Sequence, residues 1–202
     1  MKNKILSVLA ALVVISFSSV ANAQVTSGQP APDFTLTDSN ATAHSLSGFK
    51  GKFVVLEWLN HSCPFVVKHY GSGNMQTLQK EFTAKDVVWL SINSSATGKE
   101  GSVTPQEANA LTTEQAASPT AVLLDSDGKV GKMYGAKTTP HMYVINPEGV
   151  LIYQGAIDDK ASTDPADIAG SKNYVREALG AAMAGQPVVE ASTKSYGCSV
   201  KY

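Results

Sequence analysis

"FVVLEWLNHSCPFVVKHY", Phe53 to Tyr70, passes from a nearly continuous apolar, β-branched run into a Cys-Pro pair and then into apolar and aromatic residues at roughly helical spacing. An apolar run of strand length from Phe53 to Leu59 suits a central strand covered on both faces. Proline tolerates the first helical turn because its missing N–H would find no intrahelical partner there. Pro64 therefore places Cys63 at or next to the N-cap of the helix that follows. That helix has a soft spot at Gly71 to Gly73, where a kink or break is expected.

The rest of the chain continues the alternation. "VVWLSIN" (Val87 to Asn93) reads as a second buried strand, and "TPQEANALTTEQ" as a helix with Thr104 as N-cap, Pro105 at the first helical position and Glu107 closing a capping box. "TAVLLD" is a third strand. "MYVINPEGVLIYQG" holds two strands joined at Asn146 to Gly149, a turn with proline second and glycine fourth, as type I prefers. "NYVREALGAAMAG" (Asn173 to Gly185) is a last helix. Upstream, "APDFTLTD" alternates as a half-buried strand would, and "SNATAHSLSGFKGK" has the composition of a loop with one helical turn. These elements predict an α/β chain, a central mixed β-sheet with helices on both faces. In such sheets ligands gather at the carboxyl ends of the strands, and Cys63 stands at one of them.

Lys2 and Lys4 precede a run from Ile5 to Val20 that is almost wholly apolar, followed by "ANA" at Ala21 to Ala23. This pattern reads as a secretory signal peptide over residues 1–23, and it predicts a periplasmic or secreted protein beginning at Gln24, with no stable membrane span once the leader is cleaved. Residues 24–202 fit one domain, with an extension of mixed character from about Gln186 to Tyr202. Losing Lys2 and Lys4 takes the formal net charge from −1 to −3, and Arg176 is the sole arginine. With no basic run either, nucleic acid does not fit as a partner.

A thiol becomes nucleophilic when something stabilises the thiolate, and the unpaired N–H groups and partial positive charge at a helix N-terminus do so. Asn60, His61, Ser62 and Lys68 add donors or positive charge close by in sequence. Cys198 is the only other cysteine. An oxidising compartment allows the two to pair, and the non-catalytic reading of the same residues is a binding module in which a static Cys63–Cys198 disulfide ties the tail to the body and a groove holds an extended peptide.

"APDFTLTD", "LSGFKGKFVVLEW", "CP" and "LLDSDGKVGKMYGAKTTPHMYVINPEGVLIYQGAIDD" together resemble the thioredoxin-like superfamily, and within it the peroxiredoxin-like branch (alkyl hydroperoxide reductase/thiol-specific antioxidant) with its exported thiol-disulfide oxidoreductase relatives. The match spans roughly Gln29 to Asp159. It implies a thioredoxin-like fold and a thiol-dependent enzyme, with Cys63 as nucleophile, Cys198 as a C-terminal resolving thiol, and Thr139-Pro140 as a cis bond bordering the cysteine. Protein disulfides or a small peroxide would be the substrates, and a reducing thiol protein the partner.

Two departures bear on the reaction. Peroxiredoxins carry Pro-x-x-x-Thr-x-x-Cys, whereas Leu56 and Asn60 stand at those places, and the later strand lacks the usual arginine. Both tilt the expectation toward protein-thiol chemistry. Cys-x-x-Cys is also incomplete, since Asn60 and Val66 flank Cys63 at three residues.

Glu57 lies six residues before Cys63, the offset of the buried carboxylate that thioredoxins keep behind their cysteine, where it would shuttle a proton; the competing reading turns it to solvent or has it cap a neighbouring group. Asn60, His61, Pro64, Thr139 and His141 are the residues expected to border a substrate, His141 by approaching Cys63, while His44 reads as a surface loop residue. If His61, Cys63, His69 and His141 converged they would make a soft metal site, the copper-chaperone alternative. Such chaperones need two thiols close together in sequence, so neither metal nor cofactor is expected.

Overall fold

The structure, a computed structural model, describes residues 25–202, so the expected leader at residues 1–23 lies outside the described residues. The described chain opens with β1 (Thr35–Asp38), β2 (Ala43–Ser45) and a short 3-10 turn over Leu46–Phe49. β3 (Val54–Trp58) leads into α1 (Pro64–Gly71) and α2 (Asn74–Thr83), followed by β4 (Val88–Asn93), α3 (Pro105–Glu114), β5 (Ala121–Leu124) and α4 (Lys129–Tyr134). Then come β6 (Thr138–Thr139), β7 (His141–Ile145), β8 (Leu151–Gly155), α5 (Tyr174–Met183) and β9 (Cys198–Ser199).

Seven strands form one mixed sheet in the order β2-β1-β5-β4-β3-β7-β8. β3 is central, parallel to β4 and antiparallel to β7. Alternation along it divides the core. Val54, Leu56 and Trp58 pack on one face with Tyr134 and Tyr143, whereas Val55 joins Cys63, α1, α2 and α5 on the other. Every residue of β3 is buried, Glu57 included, as its nearly continuous apolar run led one to expect.

Local signals explain the boundaries. The Thr104 hydroxyl accepts from the Glu107 N–H while the Glu107 carboxylate accepts from the Thr104 N–H, closing the capping box of α3. α1 and α2 are separate helices because Gly73, at φ 76°, takes a left-handed conformation that a side chain would resist. The Gly149 N–H donates to the Asn146 carbonyl at 2.9 Å, closing the β7–β8 hairpin.

Two segments depart from expectation. Ser39 to Lys52 contains a strand as well as a turn. Asp38 Oδ1 accepts from the Asn40 and Thr42 N–H groups at 2.8 and 2.9 Å, folding β2 back on β1. His44 is thus a strand residue, its Nε2 2.8 Å from Asp38 Oδ2, and not a free loop side chain. The C-terminal extension likewise ends in β9, which pairs antiparallel with β6, Thr139 opposite Cys198 and Thr138 opposite Ser199. Among the described residues no helix is long and apolar enough to cross a membrane.

Candidate active site

Cys63 is the N-cap of α1, with extended backbone (φ −75°, ψ 123°) and Pro64 opening the helix. The loop before it is closed by Asn60, whose Oδ1 accepts from the Ser62 N–H at 2.8 Å and whose Nδ2 donates to the Glu100 carbonyl at 3.2 Å. Asn60 is buried, so it shapes the loop and presents no polar atom to solvent. The Cys63 side chain is 1 % exposed, and its thiol donates to the Thr139 carbonyl at 3.1 Å. The Thr139-Pro140 peptide is cis. Both cysteines are free thiols, and the pairing of β9 with β6 brings them close enough for each to alter the other's ionisation.

The electrostatics separate the two sulfurs. Burial pushes the Cys63 thiol up. The Cys198 thiol, the Thr139 hydroxyl and the N–H groups of Val66 and Cys198 outweigh it and hold Cys63 below its ordinary value. Cys198 moves the other way, pushed up to about 11 by burial, by its hydrogen bond to Cys63 and by the negative charge that forms there. Two adjacent thiols that share a proton cannot both ionise cheaply. Of the two sulfurs, Cys63 is the one that ionises first, with Cys198 beside it remaining protonated to higher pH.

Thr139 Oγ1 is buried and accepts or donates to no other group, so it is free to donate to the thiolate when that forms. Replacing Thr139 with valine removes this donor while keeping the branched shape. The inflection in the rate of Cys63 alkylation against pH is expected to move up, with a several-fold slower rate at neutral pH, because a hydrogen bond to a charged group contributes about 1.5–3 kcal/mol. An unmoved inflection would show that Thr139 does not touch the thiolate's stability.

The other expected residues separate. Glu57 is fully buried on the Cys63 side of the sheet, which rules out the solvent-facing reading. Its oxygens accept from Tyr70 Oη (2.8 Å), Trp89 Nε1 (2.7 Å), Ser91 Oγ (3.0 Å) and Gln79 Nε2 (3.2 Å). Burial raises its pKa against these four donors. Cys63 is not among its hydrogen-bond partners. His61 lies between loop and helix, its ring centroid 6.2 Å from that of Tyr70, and burial lowers its pKa while Gln115 opposes.

His141 does not approach Cys63. Strand alternation turns its ring onto Tyr143, 4.6 Å away on the opposite face, where burial and the Lys137 charge lower its pKa to about 4. Lys68 also turns away, into a buried group where its Nζ donates to the Lys160 carbonyl at 3.0 Å and lies 3.9 Å from Asp158 Oδ2. Among the described residues no three His, Cys, Asp or Glu side chains assemble as a metal site, so the four-residue copper arrangement does not form.

Residues the sequence reading passed over fix the tail. The Tyr196 hydroxyl donates to Asp158 Oδ1 and sits 3.1 Å from His69 Nε2. The Tyr202 hydroxyl donates to the Ala136 carbonyl at 2.7 Å. The one available signal was "YGCSVKY" itself, with a glycine directly before the cysteine and tyrosines on either side.

The AhpC/TSA family model matches residues 27–154. Among solved structures, the chain is similar to an uncharacterized conserved protein from Geobacillus kaustophilus, with a TM-score of 0.75 and 26% identity over 89% of this chain and 93% of that one. A hypothetical protein from Sinorhizobium meliloti 1021 gives a TM-score of 0.74 at 24% identity, covering 89% of this chain and 96% of that one. A thiol:disulfide interchange protein from Bacteroides sp. shares the fold at a TM-score of 0.52 and 20% identity, over 70% of this chain and 86% of that one. No curated protein matches the sequence.

Proposed function

The chain belongs to the AhpC/TSA family of thioredoxin-like thiol oxidoreductases, and on that premise we propose that it is an exported enzyme that uses Cys63 as nucleophile and Cys198 as the resolving thiol of the same chain. The observation that carries this reading is the β6–β9 pairing, which sets Cys198 opposite the residue whose carbonyl accepts from the Cys63 thiol.

The Cys63 thiolate attacks one sulfur of a protein disulfide, or the oxygen of a peroxide, and releases a thiolate or hydroxide that takes up a proton. Cys63 is left in a mixed disulfide or as a sulfenic acid. Cys198 then attacks the Cys63 sulfur, expelling the substrate's second thiol or water, and the Cys63–Cys198 disulfide holds the two oxidising equivalents. A reducing dithiol protein returns the pair to the thiol state. Pro140 and Thr139 shape the floor of the site, with Pro64 starting the helix under Cys63. The periplasm or exterior is the proposed compartment, from the leader-like pattern of residues 1–23.

Of the two substrates, protein disulfides are favoured. Leu56 and Asn60 replace the peroxiredoxin proline and threonine, and no arginine borders Cys63 to stabilise charge on a leaving oxygen. Dithiol-driven reduction of insulin and of hydrogen peroxide by the mature chain tests the reading. Cys63→Ser is expected to drop both to background with the fold retained. Activity that survives this change would place the chemistry elsewhere.

A further inference from the structure

The segment Tyr196–Tyr202 is seated along its length. Gly197, at φ 122°, approaches the Thr139 carbonyl so closely that an added Cβ would stand 2.0 Å from the oxygen. The Val200 N–H donates to the Lys137 carbonyl at 3.1 Å, and the Ala96 N–H to the Lys201 carbonyl at 2.8 Å. Tyr202 closes the segment. Its ring lies over α4, where a Cβ added at Gly128 would meet a ring carbon at 2.5 Å and one added at Gly131 would meet the hydroxyl at 2.5 Å and the ring at 2.7 Å. Gly128 has φ 67°, which favours glycine for its own sake, but Gly131 lies inside the helix with ordinary backbone, and a Cβ there would press hardest on Tyr202 and, at 2.9 Å, also on Ser94 Oγ.

Two consequences follow from this one strand. It covers Cys63, which is almost wholly inaccessible with the tail in place. It also occupies the backbone edge of Thr138–Thr139, the edge on which an extended polypeptide would add as a strand next to the cysteine. We propose that Tyr196–Tyr202 is a latch that competes with an extended polypeptide for the Thr138–Thr139 edge, with Gly197 and Tyr202 as positioning residues that hold Cys198 against Cys63. Opening admits the substrate; re-docking displaces it and delivers the resolving thiol. Access and resolution are therefore opposed properties of the same segment. The latch rests on the function proposed above only for its second half, since covering Cys63 requires no turnover.

The test uses Tyr202→Ala, which removes the anchor, and Gly131→Ala, which leaves the tail sequence intact and improves intrinsic helix propensity while evicting the tyrosine ring. In a Cys198→Ser background, alkylation of Cys63 by iodoacetamide is expected to speed up on the order of tenfold in both, as local opening becomes easier. Reaction with insulin should gain more than reaction with hydroxyethyl disulfide. With both cysteines present, closure of the Cys63–Cys198 disulfide after one equivalent of hydrogen peroxide should slow on the order of tenfold. Tyr202→Phe, which keeps the ring, should restore most of both rates. A general loss of structure would speed the first reaction without sparing the phenylalanine variant. Unchanged alkylation in both alanine variants would overturn the latch whatever the enzyme's substrate, and faster alkylation with unslowed closure would overturn the positioning role alone.

Discussion

Replacing Cys198 with serine is expected to leave the first reaction of Cys63 within a few-fold of the parent rate and to cut steady-state turnover by roughly a hundredfold or more. The first step needs the Cys63 thiolate. Serine keeps a hydroxyl at the position from which the Cys198 thiol donates, so most of the stabilisation of that thiolate survives. Resolution has no such substitute. A thiol held beside Cys63 by strand pairing acts at an effective concentration far above the millimolar range of an external thiol, and that difference sets the size of the loss. Cys63 should accumulate as a sulfenic acid or mixed disulfide, visible by trapping and mass spectrometry. Turnover near the parent rate would show that resolution comes from outside the chain.

Glu57→Leu is expected to destabilise the fold by about 2–4 kcal/mol, with a melting temperature lower by roughly 5–15 °C. Four donors converge on this carboxylate in a fully buried site. The Tyr70 and Ser91 hydroxyls can rotate toward other acceptors, and Gln79 Nε2 already lies 3.2 Å from Tyr70 Oη. Trp89 Nε1–H is fixed in the ring plane and is left without a partner, at the full cost of a buried unsatisfied donor. The pH dependence has a definite sign. Burial raises the folded-state pKa of Glu57 above its unfolded value, so the folded state binds the extra proton. This contribution is fully present below the unfolded pKa and is lost as pH rises through the folded one. The parent should therefore gain stability on acidification relative to the variant, and the gap measured by denaturant unfolding should be wider at acid than at alkaline pH. A variant as stable as the parent at both ends would mean that the carboxylate holds nothing together.

The central sheet was legible because its information is local. The nearly continuous apolar run before Cys63, the Thr104–Glu107 capping box, the glycines at the α1–α2 break and the Asn146–Gly149 turn each specify their geometry within a few residues. What the sequence hid lies in long-range pairing. β6 and β9 are two residues each, too short for periodicity to register, and they exist because Thr139 and Cys198 meet across the fold. Strand alternation decided other cases only once the register was known: His141 falls one residue out of step with Met142 and so faces away from Cys63. Lys68 was expected to lend charge to the cysteine, but its place on α1 sends it to Asp158. Glu57 drew attention by being acidic in an apolar run, and only the structure supplied Tyr70, Gln79, Trp89 and Ser91 as the reason it is tolerated.

The account stands most directly on whether Cys63 and Cys198 of one chain form a disulfide during reaction. The reduced mature protein would receive one equivalent of oxidant, be quenched by alkylation, and be analysed by non-reducing electrophoresis and peptide mass spectrometry. A monomer that has lost two hydrogens, with a single linked pair of peptides carrying Cys63 and Cys198, is the predicted result. A disulfide-linked dimer, or Cys63 oxidised to a sulfinic acid while Cys198 remains an alkylated thiol, would contradict it.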